Sequence, residues 1–211
     1  MNFAVIGAAG HTGSLVVREA LARNHAVTAI IRNLKPVDPR ATVLHRDLFD
    51  LTTENIVDFD AVYCCFSSGF HQDPVINKTV CEQLIGIFRD TGVHILHILG
   101  SGCLFTDGSH QTRVYECPEH PAFLKGISYN ATLGLQAFER SSGVDWTVVM
   151  PSLEFAEQGG TGHYIASTAM EPLRGADGRS LVTYTDYSKA VVDMMENRSY
   201  VGQAVTVLSR L

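Results

Sequence analysis

Three glycines near the start of the chain are spaced to approach a phosphate group. Gly7, Gly10 and Gly13 follow a short apolar segment, residues 2–6, and precede a stretch with helical periodicity. We expect Gly7 to allow a tight turn after a strand, Gly10 to let the backbone approach a pyrophosphate, and Gly13 to let a helix pack against the strand. The first turn of that helix would offer free N–H groups and roughly half a positive charge. The pattern predicts a dinucleotide site, with glycines placed only for steric reasons as the alternative.

The composition is that of an ordinary globular protein. The chain has 211 residues, of which 45% are hydrophobic and 18% charged, which predicts one domain with a large core. The net charge of −6 argues against non-specific binding to nucleic acid or an anionic membrane. We see neither a signal peptide nor an apolar run long enough for a membrane span. Five cysteines without C-x-x-C spacing indicate a reducing compartment, and we expect the cytoplasm.

Strand-type and helix-type segments alternate along the chain. The strands lack a polar face, which is typical of a parallel sheet covered by helices on both sides. The sequence therefore predicts an α/β fold, a single-domain Rossmann-type doubly wound parallel sheet over residues 1–211, with a small C-terminal elaboration. Substrate-side elements are expected at roughly 151–183. The predicted strands are 2–6, 27–31, 42–45, 60–66, 93–99 and 144–150, and two predicted helices cover 74–90 and 121–141.

The residue after the second strand bears on the choice of cofactor. An NAD-binding fold usually carries Asp or Glu there to hold the ribose 2′-hydroxyl, whereas this chain has Arg32. A guanidinium attracts a 2′-phosphate, so NADP(H) is favoured over NAD(H), unless Arg32 is only a solvated charge. After the third strand, Asp47 is either a hydrogen-bond acceptor for the adenine amino group or a carboxylate at the entry of a helix.

Small residues follow the fourth and fifth strands. The sequences Cys-Phe-Ser-Ser-Gly at 65–69 and Leu-Gly-Ser-Gly at 99–102 would leave room for the ribose and nicotinamide of a cofactor. Such residues are also common in any turn after a strand. His94 and His97 lie on one predicted strand and point to opposite faces, so they cannot share a metal ion, and we expect no metal site.

These features resemble the atypical short-chain dehydrogenases/reductases with NAD(P)H-binding, NmrA-like folds. The loop Gly-Ala-Ala-Gly-His-Thr-Gly at 7–13 is similar to that group's G-x-x-G-x-x-G motif, and residues 143–151 look like its sixth strand. A narrower resemblance, to predicted NADH-flavin reductases and the related flavin (biliverdin) reductases, is carried by residues 155–164 and 183–190. In that group the first segment is a loop after strand six and the second begins a late helix.

The resemblance implies a set of cofactor-binding residues. Arg32 would take the 2′-phosphate, and Asp47 and Leu48 would meet the adenine edge. The pyrophosphate would be held by Gly7, Ala9, Gly10, His11, Thr12 and Gly13, and the nicotinamide half would be lined by Phe66, Ser67, Ser101 and Pro151.

The chain departs from the group at its catalytic pair. Short-chain dehydrogenases use Tyr-x-x-x-Lys on the helix before strand six, and by spacing these positions fall at Ser128 and Thr132. Tyr129 is adjacent but turned by about 100° on a helix. Ser101 and Tyr129 are the candidate catalytic residues. The flavin-reductase-like loop also often has an Arg where this chain has Gly160.

Three functions agree with these observations. The first is an NAD(P)H-dependent reductase that transfers hydride to a small planar molecule such as a flavin or a quinone, because such molecules need little general-acid help. The second is a non-catalytic NADP(H)-binding redox sensor, which the missing Tyr-x-x-x-Lys pair favours. The third is a nucleotide-sugar epimerase-like enzyme, for which the chain is short.

Overall fold

The structure is a computed structural model that describes residues 1–66, 68–69 and 73–210. These described residues form four helices and ten strands. The helices are α1 (His11–Ala22), α2 (Ile76–Phe88), α3 (Ala122–Arg140) and α4 (Tyr184–Asn197). The strands are β1 (Asn2–Ile6), β2 (Ala26–Ile31), β3 (Thr42–His45), β4 (Ala61–Cys64), β5 (His94–Ile98), β6 (Trp146–Pro151), β7 (Glu154–Ala156), β8 (Tyr164–Ser167), β9 (Leu181–Thr183) and β10 (Gln203–Ser209).

Eight strands form one central sheet in the order β3-β2-β1-β4-β5-β6-β10-β8. All neighbouring strands are parallel except β8, which runs antiparallel to β10 at the edge. The strand order reverses between β1 and β4, where Ile6 pairs with both Ile30 and Cys64. This arrangement confirms the predicted Rossmann-type α/β fold, in which ligands bind beyond the carboxyl ends of the strands at the reversal.

Helices cover both faces of this sheet and bury it. On one face, α2 and α3 pack over a core that includes Val62, Ile95 and Val148. On the other face, α1 and α4 pack over a second core that includes Val5, Leu96 and Val205. The two buried histidines of β5 point to opposite faces of the sheet. His97 contacts Phe138 of α3, whereas His94 bonds to Thr147, whose hydroxyl bonds to the Tyr200 carbonyl after α4.

The C-terminal part of the sheet was not predicted from periodicity. Strand β10 lies buried between β6 and β8, although polar Thr206 and Ser209 interrupt its apolar residues. A separate two-stranded sheet pairs β7 with β9. The predicted segments 60–66 and 74–90 are longer than β4 and α2, and α2 ends before Asp90, whose φ of +57° does not fit a helix. None of the described helices is long and apolar enough to span a membrane.

Candidate functional site

The glycine loop connects β1 to α1 and packs tightly against the residue that follows β4. Gly7 has a φ of +80°, a conformation that favours glycine. The Gly10 N–H donates to the Gly7 carbonyl at 2.9 Å and closes the turn. A Cβ atom on Gly13 would lie 2.4 Å from the Gly7 carbonyl oxygen and 2.7 Å from the Cys65 Sγ. The loop, the start of α1 and the residue after β4 are therefore packed against one another through the bare backbone of Gly13.

The N-terminus of α1 is left open to bind an anion. Its N-cap residue is Gly10, which has no side chain to bond the first-turn amides, and no acidic residue lies in the first turn. In the described residues, the N–H groups of His11 and Thr12 have no hydrogen-bond partner. Because the free N–H groups and the helix dipole both favour negative charge, this helix end can bind a pyrophosphate.

A cleft lies at the carboxyl ends of the strands on either side of the loop. It has two chambers that share Gly10, Cys65 and Phe66. The β2 chamber, of about 520 Å³, is lined also by Ile6, Gly7, Ala9, Ile30, Ile31, Arg32, Asn33, Lys35, Arg46, Asp47, Leu48, Phe49 and Ile76. The β5 chamber, of about 370 Å³, is lined also by His11, Thr12, Ser68, Gly69, Asn77, His97, Ile98, Leu99, Gly100, Leu124, Ile127, Ala131, Pro151, Phe155 and Tyr184.

The β2 chamber is rimmed by three exposed basic side chains, Arg32, Lys35 and Arg46. The Arg46 guanidinium donates to Asp50 O and Asn55 Oδ1, each at 3.3 Å. By contrast, the side chains of Arg32 and Lys35 have no hydrogen bond or ion pair with any described residue. The side chains of Arg32 and Lys35 are thus available to an anionic ligand at this end of the cleft. They lie next to the carboxyl end of β2, where the ribose of a dinucleotide would lie.

Asp47 has the helix-entry role that the sequence allowed. It caps a short 3₁₀ turn, Leu48–Asp50, and its Oδ1 accepts from the Phe49 N–H at 3.0 Å. Leu48 is buried behind it. Since Asp47 also lines the β2 chamber, its carboxylate can accept a second hydrogen bond from a ligand there. The structure shows the capping role and leaves the adenine contact as a prediction.

The mouth of the β5 chamber carries an aromatic cluster made of His11, Phe155 and Tyr184. The Phe155 ring meets the Tyr184 ring edge-on at 4.1 Å between centroids, and His11 lies 6.1 Å from Tyr184. Tyr184 is the first residue of α4, so its position depends on how that helix begins. The cluster brings aromatic rings to the chamber, and the face of one of these rings can stack against a planar ligand.

A buried carboxylate fixes the start of α4. Asp186 is fully buried, and its Oδ1 accepts from the Gly162 N–H at 2.7 Å while its Oδ2 accepts from the Ser209 hydroxyl at 2.5 Å. A Cβ on Gly160 would lie 2.7 Å from Thr185 Cβ and 2.8 Å from Thr183 Oγ1. A side chain at position 160 would therefore clash with the start of α4, which this loop approaches closely.

The two candidate catalytic residues do not line the β5 chamber. Tyr129 is half-exposed, and its ring packs edge-on against Tyr115 at 6.2 Å. Ser101 begins a short 3₁₀ turn, Ser101–Cys103, one residue beyond Gly100, which does line the chamber. A catalytic role for either residue thus stays a prediction.

The positions where the group has Tyr and Lys are buried in α3. The Ser128 hydroxyl lies 3.2 Å from His120 Nε2, and the Thr132 hydroxyl donates to the Ser128 carbonyl at 2.9 Å. A serine and a threonine in these bonds cannot replace the tyrosine and lysine of the catalytic pair.

Of the predicted cofactor residues, most line the cleft. Gly13 is buried behind the loop, Ser101 lies just outside the lining, and Ser67 lies outside the described residues. Sequence reasoning missed Lys35, Arg46, His97, Phe155 and Tyr184. Lys35 had a signal, since it is a basic residue close to Arg32, whereas Phe155 and Tyr184 are brought together only by the fold. Those predicted residues that do line the cleft are Gly7, Ala9, Gly10, His11, Thr12, Arg32, Asp47, Leu48, Phe66 and Pro151.

Comparison with known proteins agrees with this geometry. A family model described as NAD(P)H-binding matches residues 7–198. The chain belongs to this family. The Bacillus subtilis protein YwnB, which is uncharacterised, is 32% identical over 99% of each chain. The crystal structure of a predicted NADH-flavin reductase from Streptococcus pneumoniae matches all of both chains with a TM-score of 0.93 and 27% identity.

A more distant structure shows only the shared fold. A short-chain dehydrogenase/reductase from Veillonella parvula, solved in complex with NADP, has a TM-score of 0.70 and 12% identity over 99% of this chain and 94% of that chain. The family match and the Streptococcus pneumoniae structure confirm the predicted resemblance to NAD(P)H-binding proteins.

Proposed function

We propose that the protein is an NADPH-dependent reductase that transfers hydride to a small planar molecule, a flavin or a quinone. The observation that carries the proposal is the cleft of two adjoining chambers, with unpaired basic side chains at one end, an open helix N-terminus in the middle and an apolar chamber at the other end. Such a cleft has room for an extended dinucleotide and for a second ring beside the nicotinamide. The Streptococcus pneumoniae neighbour, named as a predicted NADH-flavin reductase, agrees with this class of reaction.

The proposal assigns a task to each part of the cleft. The first-turn amides at His11 and Thr12 bind the pyrophosphate, and the β2 chamber takes the adenosine beside Asp47 and Leu48. Phe66 and Pro151 flank the nicotinamide ring in the β5 chamber, where the cofactor supplies the hydride. The protein contributes by stacking the two rings face to face and by excluding water, since neither Ser128 nor Thr132 can act as a proton donor with a lowered pKa.

The preference for NADP(H) over NAD(H) depends on Arg32 and Lys35. Neither side chain has a hydrogen bond or ion pair within the described part of the chain, and both residues line the chamber that would hold the adenosine ribose. A charge-assisted hydrogen bond from a guanidinium to a phosphate contributes about 1.5–3 kcal/mol. A carboxylate, which would repel the 2′-phosphate, is absent from the residue that follows β2.

Replacing Arg32 tests this preference. Arg32→Gln is expected to weaken NADPH binding by about 10- to 100-fold while it leaves NADH binding almost unchanged, because only NADPH carries the 2′-phosphate. The dissociation constants can be measured by calorimetric titration. Arg40→Gln is the matched control, because Arg40 is exposed, bonds to Asp38 at 2.8 Å and lies outside both chambers. An equal loss for both cofactors in Arg32→Gln would contradict the assignment.

A redox sensor is the second candidate, and one observation favours it. Helix α3 has Ser128 and Thr132 at the positions assigned to the catalytic Tyr and Lys, and both are buried, with the Thr132 hydroxyl donating to the Ser128 carbonyl. A sensor must bind NADPH and NADP with different affinities, because a ligand that binds two states equally shifts no equilibrium. Equal affinities for the two forms would exclude this candidate.

Turnover separates the reductase from the sensor. Under anaerobic conditions we expect the protein to oxidise NADPH with at least one molecule from a panel of riboflavin, FMN and simple quinones, as followed by nicotinamide absorbance. No turnover with any of them, despite NADPH binding, would contradict the reductase.

We retain the cytoplasm as the proposed compartment, in agreement with the five cysteines, which are all unpaired.

A further inference from the structure

His97 is a polar side chain at the inner end of the β5 chamber that cofactor binding does not use. We call this inner end the floor, and define it by Asn77 of α2, His97 of β5 and Ala131 of α3. His97 is 2% exposed and packs against the Phe138 ring at 6.4 Å. Around it the chamber wall is mostly apolar, with side chains such as Leu99 and Ile127. A buried imidazole in such a wall must find hydrogen-bond partners or cost stability.

The protein fixes the tautomer of this imidazole. The His97 Nδ1 lies 3.0 Å from the Cys64 carbonyl oxygen, and because a carbonyl only accepts, Nδ1 carries the proton. Burial lowers the pKa of His97 to about 4, so the ring is neutral near pH 7. The Nε2 atom therefore presents a lone pair. Within the described residues it has no partner, and it is not sealed inside the protein, so it faces the chamber that His97 lines.

The polar side chains near His97, those of Asn77 and Ser68, use their hydrogen-bond donors within the protein. The Asn77 amide nitrogen donates to the Pro74 carbonyl at 3.0 Å and to the Ser68 hydroxyl at 3.3 Å. The Ser68 hydroxyl in turn donates to the Gly69 carbonyl at 3.1 Å. Asn77 keeps only its carbonyl oxygen for a ligand. Side chains on the described part of the floor thus offer hydrogen-bond acceptors alone.

We propose that His97 determines which molecules the reductase accepts, because its Nε2 requires a ligand that donates a hydrogen bond from a ring N–H. The inference rests on the proposed function and narrows its substrate class. A flavin has an imide N–H on its pyrimidine ring and satisfies the lone pair, whereas an oxidised quinone carries only carbonyl oxygens. A site built around a buried polar group rejects an analogue that leaves that group unpaired more strongly than it rejects a mere change of size.

Two flavins that differ only in the substituent on the imide nitrogen test the proposal. Lumiflavin has the imide N–H, and 3-methyllumiflavin does not. We expect wild-type kcat/KM for NADPH oxidation to be about 10- to 100-fold higher with lumiflavin. In His97→Leu this ratio should fall close to one, because leucine has a similar volume but no lone pair. Since the volume is retained, a preference caused only by the bulk of the methyl group would persist in the variant.

Two further measurements keep the test decisive. His97→Gln should recover part of the ratio, since an amide can donate to Cys64 and accept from the ligand, whereas a packing role would favour His97→Leu. NADPH affinity should be the same in all three proteins, and a loss of it in His97→Leu would show that His97 contacts the cofactor and would overturn the inference. If wild type turns over both flavins equally, the inference is wrong and the reductase stands. If it turns over neither flavin but reduces a quinone, the inference is wrong and the reductase stands, whereas failure with flavins and quinones alike makes the proposed function itself wrong.

Discussion

Gly13→Ala is expected to abolish measurable NADPH binding and to destabilise the protein by about 1–3 kcal/mol, as overpacking does. The added methyl carbon would lie 2.4 Å from the Gly7 carbonyl oxygen and 3.0 Å from the Ala8 Cα, and backbone atoms cannot move aside. The loop and α1 would have to separate, which moves the first-turn amides from the pyrophosphate position. Urea unfolding and NADPH titration measure the two effects.

Gly86→Ala is the matched control for this substitution. Gly86 is also helical, in α2, and a Cβ there would meet nothing within 4 Å. The same change should therefore stabilise the protein by about 0.5–1 kcal/mol, since alanine is the better helix former, and leave NADPH binding unchanged. Equal behaviour of the two variants would contradict the role assigned to Gly13.

Acid is expected to destabilise the protein well before most carboxylates titrate. Burial lowers the pKa of both His94 and His97 from 6.5 to about 4. In the unfolded chain each would protonate below about pH 6.5, whereas in the folded protein each stays neutral until about pH 4. The unfolded state then binds more protons between these values, so stability is complete above pH 6.5 and falls as the pH drops towards 4.

The expected loss is about 3 kcal/mol for each histidine, to order of magnitude. The His94 Nε2 donates to the Thr147 hydroxyl, which donates to the Tyr200 carbonyl. The His94 Nδ1 is buried and has no hydrogen-bond partner in the described structure, so its protonation in the folded state costs free energy. Urea unfolding between pH 4 and 7 measures the slope. His97→Leu should remove its share of that slope. A wild-type slope equal to that of His97→Leu would contradict the pKa assigned to His97.

Local sequence was sufficient for the phosphate loop and for most of the parallel sheet. The roles of Gly7 and Gly13 follow from a turn and a close approach within a few residues, and the structure shows both. The capping role of Asp47 likewise depends on Phe49, two residues away. Strands β1 to β6 were predictable because each is a short apolar run.

The other half of the site depends on contacts that are distant in sequence. Phe155 meets Tyr184 only because β7 pairs with β9 and leads into α4. Asp186 would be predicted as an exposed first-turn acid, yet Gly162 and Ser209 enclose it. His97 is recognisable as a ligand-facing residue only when its Cys64 partner is known. The pattern of apolar and polar residues shows which positions of a strand or helix are buried, and it does not show which distant side chain contacts them.

The most direct test of the reductase is a single-turnover reaction with labelled cofactor. The protein is mixed anaerobically with lumiflavin and with NADPH that carries deuterium on one or the other face of nicotinamide C4. We predict protein-dependent oxidation that is slowed by deuterium on one face only, because the cleft presents one face of the ring to the flavin. Tight NADPH binding without oxidation, or a rate insensitive to deuterium on both faces, would contradict hydride transfer to a flavin within this cleft.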